Sequence, residues 1–252
     1  LKGFTIKSRD LDRIRLYNIP YLYSEDEIGK LEFFSEEAVY TETFQTIKNV
    51  MESVRDGGAI NLPVLKDTVD GIVQKILHED NVFMKPTGIR DIDTYPYLHS
   101  VDVCIYSVIA GKGLNLSEEE IRQLALGAIL HDIGKCKIPL SILNKPARLT
   151  KSEYEIIQRH TTFGHEIVSK TPGVNPNVAN IALYHHEHWD GTGYPAGKAG
   201  KNIDLLARIV AVADVYDALT ANRVYRKRFM PHEAAEYIIS NSSQHFDPVI
   251  LK

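Results

Sequence analysis

No apolar run in this chain approaches the roughly eighteen residues that would mark a membrane-crossing helix, and none is expected. No signal-peptide pattern opens it either. Cysteine is scarce: Cys104 and Cys136 are the only two and lie far apart, so reduced thiols in a cytoplasmic protein are the simplest reading. Basic residues are not in excess, and the formal net charge of -4 argues against nonspecific binding to long nucleic acid. A small phosphate ligand stays possible, because it needs only local positive charge. Internal repeats and low-complexity segments are also missing. Residue 1 is Leu, so the true N-terminus is expected upstream, and Phe246-Asp247-Pro248 is expected close to the end of the fold.

What is present supports a sizeable core. Hydrophobic residues make up 44% of 252, enough for one large domain or two modest ones. We expect a small N-terminal segment over 1–85, mixed α/β and then two helices, followed by a mostly α domain over 86–252. Ser8 can cap a short helix through Tyr17, and Pro20 to Tyr23 looks extended. Ile47, Val50, Met51 and Val54 share one helical face, and Gly57-Gly58 ends that helix. Leu65, Val69, Ile72, Val73 and Ile76 form the face of a second helix. The two helices could form an antiparallel pair packed within the protomer or, less simply, a homodimer contact.

Beyond residue 90 helical patterns dominate. Val101, Cys104, Ile105 and Val108 define one face, and Ser117 caps the next helix, with Glu118, Glu119 and Glu120 in its first turn. Thr150 and Glu153 form a capping-box pattern. Asn175-Pro176 starts a helix leading to His185 and His186, glycines from Gly191 to Gly200 mark a long loop, and Ile203 to Ala221 is the most helical stretch of all.

Histidine and carboxylate are concentrated in knots. The candidate metal ligands are His99, His131, Asp132, His160, His185, His186 and Asp214, each inside or at the end of an apolar helical pattern. A carboxylate ending such a run is costly to bury unless a cation or hydrogen bonds compensate. One such histidine alone would more often be a satisfied core residue; seven candidate ligands together point to metal. Imidazole with carboxylate and no thiolate suits borderline first-row ions in a catalytic site. Seven ligands exceed the need of one ion, so two ions about 3.5–4 Å apart are expected. Asp132 is the natural bridge, with His99, His131 and Asp214 on one ion and His160, His185 and His186 on the other. A shared water would then be acidic enough to attack phosphorus as hydroxide. Glu187 and Asp190 could orient ligand histidines from behind, and His188 is as easily solvent-facing. Cys136 is not read as a nucleophile, since nothing suggests a lowered thiol pKa.

Over about residues 90–250 the chain resembles the HD-GYP family. The resemblance rests on Tyr95-x-Tyr97-x-His99-Ser100, His131-Asp132-Ile133-Gly134-Lys135, His160-x-x-x-Gly164, and His185-His186-Glu187 with Asp190-Gly191-Thr192-Gly193-Tyr194-Pro195. The fifth motif is Ala213-Asp214-Val215-Tyr216-Asp217-Ala218-Leu219, followed by Arg223-x-Tyr225-Arg226. It implies an all-helical metal-dependent phosphodiesterase that cuts the second messenger cyclic di-GMP, or a related cyclic dinucleotide, to linear pGpG and sometimes onward to GMP. Iron or manganese is the metal it favours, with nickel or zinc admissible. Some members carry a glutamate four residues before the first histidine and hold three metals; Tyr95 stands there, so two metals are expected. The resemblance also allows a regulatory role for the N-terminal segment and a diguanylate cyclase partner.

A cyclic dinucleotide has two phosphates. Lys135, one turn after His131, should reach the scissile one and is assigned with Asp132 to catalysis. Arg223 and Arg226 follow the Asp214 helix with helical spacing and offer bidentate phosphate contacts. Tyr194 and Asp217 complete the expected substrate contacts, while Arg208, Lys227 and Arg228 read as solvated surface. Two other functions compete. A nucleotidase of the wider HD superfamily would need only the His, His-Asp, Asp core, so His160, His185, His186 and the Gly193-Tyr194-Pro195 loop argue against it. A non-catalytic dinucleotide sensor or interaction module sits poorly with a full ligand set.

Overall fold

The computed structural model describes residues 30–78, 94–221 and 229–251, with side chains from Tyr40 onward. The expected features at Ser8–Tyr17, Pro20–Tyr23, Arg223, Tyr225, Arg226, Lys227 and Arg228 lie outside the described residues. The chain divides into two compact units, 1–36 and 37–252.

The described residues are helical apart from loops. In chain order they form α1 (Lys30–Arg55), α2 (Leu62–His78), α3 (Tyr95–Gly113), α4 (Glu118–Leu130), the short α5 (Leu140–Leu143), α6 (Lys151–Gln158), α7 (His160–Ser169), α8 (Pro176–Tyr184), α9 (Leu205–Thr220) and α10 (Pro231–Ser240). A 3-10 turn at Ile133–Lys137 follows α4, and another at Gly200–Asn202 precedes α9. Helix starts follow local chemistry. Ser117 and Thr150 each accept from the backbone N–H of the third helical residue, and Glu120 and Glu153 reciprocate. Asn175 caps α8 ahead of Pro176, whose missing N–H costs nothing at a helix start.

Helix α3 is buried almost all round, including Tyr97, Val101, Val103, Cys104, Ile105 and Val108, as a central helix must be. It packs against α4 and α9; α4 also meets α8, and α7 meets both α8 and the turn after α4. Gly134 makes that last contact possible, because a Cβ there would overlap the carbonyl of His160 and the amide of Gly164. The expected apolar faces of α1 and α2 turn into the core of the chain. Ile47, Val50, Met51, Val54, Leu65, Val69, Ile72, Val73 and Ile76 all belong to the core that contains Val101, Leu124, Ile129 and Ile209. Two expectations change accordingly. Those nine residues are not available for a homodimer contact, and the boundary expected near residue 85 does not separate two cores. Long-range packing brings α2 against α3 and α4, which no local pattern reveals.

Candidate metal centre

The seven expected ligands come from five helices or their ends. His99 sits near the start of α3. His131 and Asp132 leave the C-terminus of α4, His160 opens α7, His185 and His186 follow α8, and Asp214 lies in mid-α9. Helix packing brings their ligand atoms together in two groups, each within 4.8 Å: Asp132, His160, His185 and His186, and His99, His131 and Asp214. Asp132 stands between them. Its Oδ1 is 3.3 Å from His160 Nε2 and 4.0 Å from His185 Nε2, and its Oδ2 is 3.3 Å from His131 Nε2 and 3.9 Å from His99 Nε2. One carboxylate therefore shows one oxygen to each group.

The imidazoles are turned the right way by their other nitrogen. His131 Nδ1 lies 2.6 Å from Ala128 O, His160 Nδ1 2.7 Å from Ile157 O, and His185 Nδ1 3.1 Å from both Ile181 O and Ala182 O. His99 Nδ1 lies 2.8 Å from Asp217 Oδ2. A carbonyl or carboxylate oxygen accepts only from N–H, so the proton sits on Nδ1; in His131, His160 and His185 this leaves the Nε2 lone pair facing the cluster, while His99 Nε2 lies 3.1 Å from Asp214 Oδ1. Each of these bonds except that of His99 is made to the last turn of a helix, which explains why the ligands stand at helix ends.

Burial sets the protonation states. It pushes His160 down to about 4 and His186 to about 3, and holds His185 well below the ordinary imidazole value. Burial opposes ionisation of Asp132, yet the Lys135 ammonium and the neighbouring imidazoles hold its carboxyl well below the usual range. Asp214 is lowered likewise against its burial, chiefly by His99. His99 runs the other way: burial would lower it, but bonds to Asp214 and Asp217 raise it well above. Neutral imidazole and ionised carboxylate are the forms that bind a cation, and the proton of His99 is one that a cation would displace. Two buried atoms, His131 Nε2 and Asp132 Oδ1, have no hydrogen-bond partner. Each such orphan costs about 1–3 kcal/mol, and a cation satisfies both. The donor set therefore fits divalent metal.

Other expected residues fall elsewhere. Lys135 Nζ bonds to Asp132 Oδ2 in a half-exposed position, so it faces the cluster. Tyr194 lies over His186, with ring centroids 4.8 Å apart, and 6.4 Å from His160. Asp217 is fully buried with its carboxylate on His99, which corrects the expected substrate contact: it positions a ligand. Glu187 does not reach a ligand histidine. Its carboxylate accepts from the amides of Ala196 at 2.7 Å and Lys198 at 3.0 Å, and so holds the loop that carries Tyr194. Asp190 is exposed and accepts from Thr192 N and Oγ1, closing a local turn instead of orienting a ligand. Both corrections have one reason: a backbone amide competes for a carboxylate as well as an imidazole N–H does. Arg208 is not solvated surface. Its side chain is 14% exposed and pairs with the buried Asp247. Cys136 donates to Met51 O, and burial pushes its thiol pKa up, as an inert cysteine requires.

Sequence reasoning missed His245. Its ring lies 3.9 Å from that of His188, its carbonyl accepts from Trp189 N, and Gln244 O accepts from Asp190 N. The C-terminal segment thus straps the loop after His186. No signal in the sequence pairs these positions.

The HD domain family model matches residues 88–250. The chain is 37% identical over 206 residues to the cyclic di-GMP phosphodiesterase PA4108 of Pseudomonas aeruginosa, covering 82% of this chain and 50% of that protein. It is 32% identical over 237 residues to a cyclic di-GMP phosphodiesterase of Vibrio cholerae, covering 92% of this chain and 45% of the relative. The chain thus spans about half the length of these curated relatives. Among solved structures, Bd1817, an HDG"Y"P protein from Bdellovibrio bacteriovorus, shares the fold with a TM-score of 0.65 at 22% identity, over 97% of this chain and 79% of its own. With a family match across most of the chain and the Gly193-Tyr194-Pro195 triplet intact beside the ligand cluster, the chain belongs to the HD domain family, in its HD-GYP branch.

Proposed function

We propose that this chain is the catalytic part of a phosphodiesterase that hydrolyses cyclic di-GMP to linear pGpG. One observation carries the reading: Asp132 turns one oxygen to each of two ligand groups whose imidazoles are locked by Nδ1. The names of its relatives support the substrate. Two divalent cations held there, iron or manganese by resemblance and nickel or zinc by ligand chemistry, would acidify a shared water to hydroxide and polarise a phosphoryl oxygen.

The chain's own residues do the rest. Asp132 would bridge the two cations, and Asp214 and the five histidines would hold them. Asp217 holds His99 in place. Lys135, now bonded to Asp132, turns its remaining N–H donors toward a non-bridging oxygen of the scissile phosphate and stabilises charge developing there. Burial, with the hydrogen-bonded Tyr154 phenol beside it, raises the Tyr194 phenol, so it stays neutral next to His186. Arg223 and Arg226 take the second phosphate in this reading. A two-metal site favours release of pGpG over a second cut.

The test is elemental analysis paired with turnover of cyclic di-GMP and of a hybrid cyclic dinucleotide on one anaerobic sample, repeated for Asp132→Ala. Two metals per chain, with turnover lost in the variant, is the expected result. Two metals without turnover of any cyclic dinucleotide would favour a sensor. One metal or none would overturn the ligand assignment.

A further inference from the structure

The ring contacts of the site form one unbroken chain. Tyr95 stacks on His99 with centroids 5.7 Å apart and planes 12° apart. His99 meets His131 at 5.3 Å, His131 meets His185 at 5.0 Å, and His185 meets His186 at 4.2 Å. His186 meets Tyr194 at 4.8 Å, and Tyr194 meets Tyr154 at 6.5 Å and 77°. The ligand cluster thus has a tyrosine at each end, and the far end is Tyr154, which none of the ligand or phosphate arguments uses.

An exposed tyrosine by itself needs no explanation. Tyr154 differs in how firmly it is placed and in what it borders. It remains 48% exposed, yet its helix is anchored. The Thr150–Glu153 capping box closes the start of α6, and Lys145 Nζ holds Glu153 at 2.7 and 2.8 Å. Helix α6 packs against α7, whose first residue is His160. Tyr194 is anchored by its own loop, its amide donating to His186 O at 3.1 Å and Glu187 carrying the rest of the loop, and its phenol is also hydrogen-bonded to that of Tyr154. The two phenol rings therefore stand nearly at right angles, as two walls of a corner beside His186 and His160, with one wall open to solvent. A planar ring in such a corner stacks on one wall and presents its edge to the other, the two geometries aromatic pairs prefer. A nucleobase lies one ribose away from its phosphate, so a phosphodiester held at the His160, His185 and His186 group brings a base to this corner.

We propose that Tyr154, together with Tyr194, is the platform for one purine base of a cyclic dinucleotide and so sets base preference, an assignment that rests on the phosphodiesterase reading above. A bicyclic purine covers more of the wall than a pyrimidine does.

The test measures the Kd of the phosphorothioate analogue of cyclic di-GMP by calorimetry on metal-loaded wild type, Tyr154→Ala and Tyr154→Phe, with metal content checked for each. Alanine should weaken binding about five- to 150-fold, the range of one base–aromatic stack. Phenylalanine should stay within about twofold of wild type. In turnover the alanine loss should fall on KM, not kcat, and the preference for cyclic di-GMP over cyclic di-UMP should shrink. Equal Kd for alanine and wild type would overturn the platform. So would equal losses for alanine and phenylalanine, which would point to the hydroxyl, or a loss of metal in the alanine variant, which would make Tyr154 part of the scaffold. Wild type that binds the analogue but turns over no cyclic dinucleotide would sink the phosphodiesterase reading and leave the platform to the Kd comparison. No binding by wild type would sink both.

Discussion

At the scale of single residues, the behaviour of the carboxylates separates three roles that one side-chain type can play. Asp132 is buried among imidazoles and keeps an oxygen without a hydrogen-bond partner. Asp217 is just as buried but bonded to a ligand imidazole. Glu187 is buried and satisfied by two loop amides. Only the first has capacity left for a cation. Asp217→Asn keeps size and an acceptor but removes the charge behind His99. We expect metal affinity to fall about 10- to 100-fold, the usual effect of removing a group that orients a ligand, with the fold retained; metal titration followed by circular dichroism checks it. Unchanged affinity would show that the Nδ1 contact orients nothing. The sequence placed Asp217 beside Asp214 but held no sign of which partner it would meet, because His99 is reached only through the packing of α3 on α9.

At the scale of elements, helix starts were readable and the strap was not. The boxes Ser117–Glu120 and Thr150–Glu153 each close within four residues, so their signal is local. The C-terminal strap joins Gln244 and His245 to Asp190 and Trp189, and no spacing rule connects them. Its pH response follows from His245, which burial pushes down to about 4, with His188 facing it and lowering it further. The folded strap resists a proton that the unfolded chain accepts near the ordinary imidazole pKa of about 6.5. The strap's contribution to stability is therefore complete above that value and is lost as pH falls toward 4. The protection factors of the Trp189 and Asp190 amides against hydrogen exchange should fall between pH 7 and 5, and His245→Phe should flatten the response. Protection factors that do not change with pH would refute the buried-neutral assignment.

At the scale of the molecule, the family match over 88–250 and the packed unit over 37–252 do not coincide. Helices α1 and α2 lie before the family match, yet they supply Ile47, Val54, Leu65 and Val73 to the shared core. Truncating a single buried aliphatic to alanine costs about 2–5 kcal/mol, and a whole domain is stable by only about 5–15. Deleting residues 1–85 should therefore abolish folding, while deleting residues 1–36 should leave the thermal unfolding transition and metal content of the remainder in place. Thermal melts of the two truncations check this, and a cooperative melt from the shorter chain would show that 86–252 is self-sufficient. Removal of residues 1–36 is accordingly the informative test of N-terminal regulation: a change in turnover at constant stability would be regulatory, whereas the larger deletion would confound the two.

The sequence by itself determined the helical class, the helix starts, the ligand types and the five motifs, because periodicity, capping and donor chemistry are written within a few neighbouring residues. It also limited the cluster to imidazole and carboxylate, which any residue count makes visible. Only the tertiary structure decided which carboxylate faces the cluster and which holds a loop, that α1 and α2 share one core with the helices that carry the cluster, and that His245 meets His188. Those outcomes depend on side chains from distant parts of the chain meeting in one place. A buried polar group takes whichever partner packing brings within reach, and sequence proximity does not reveal that partner.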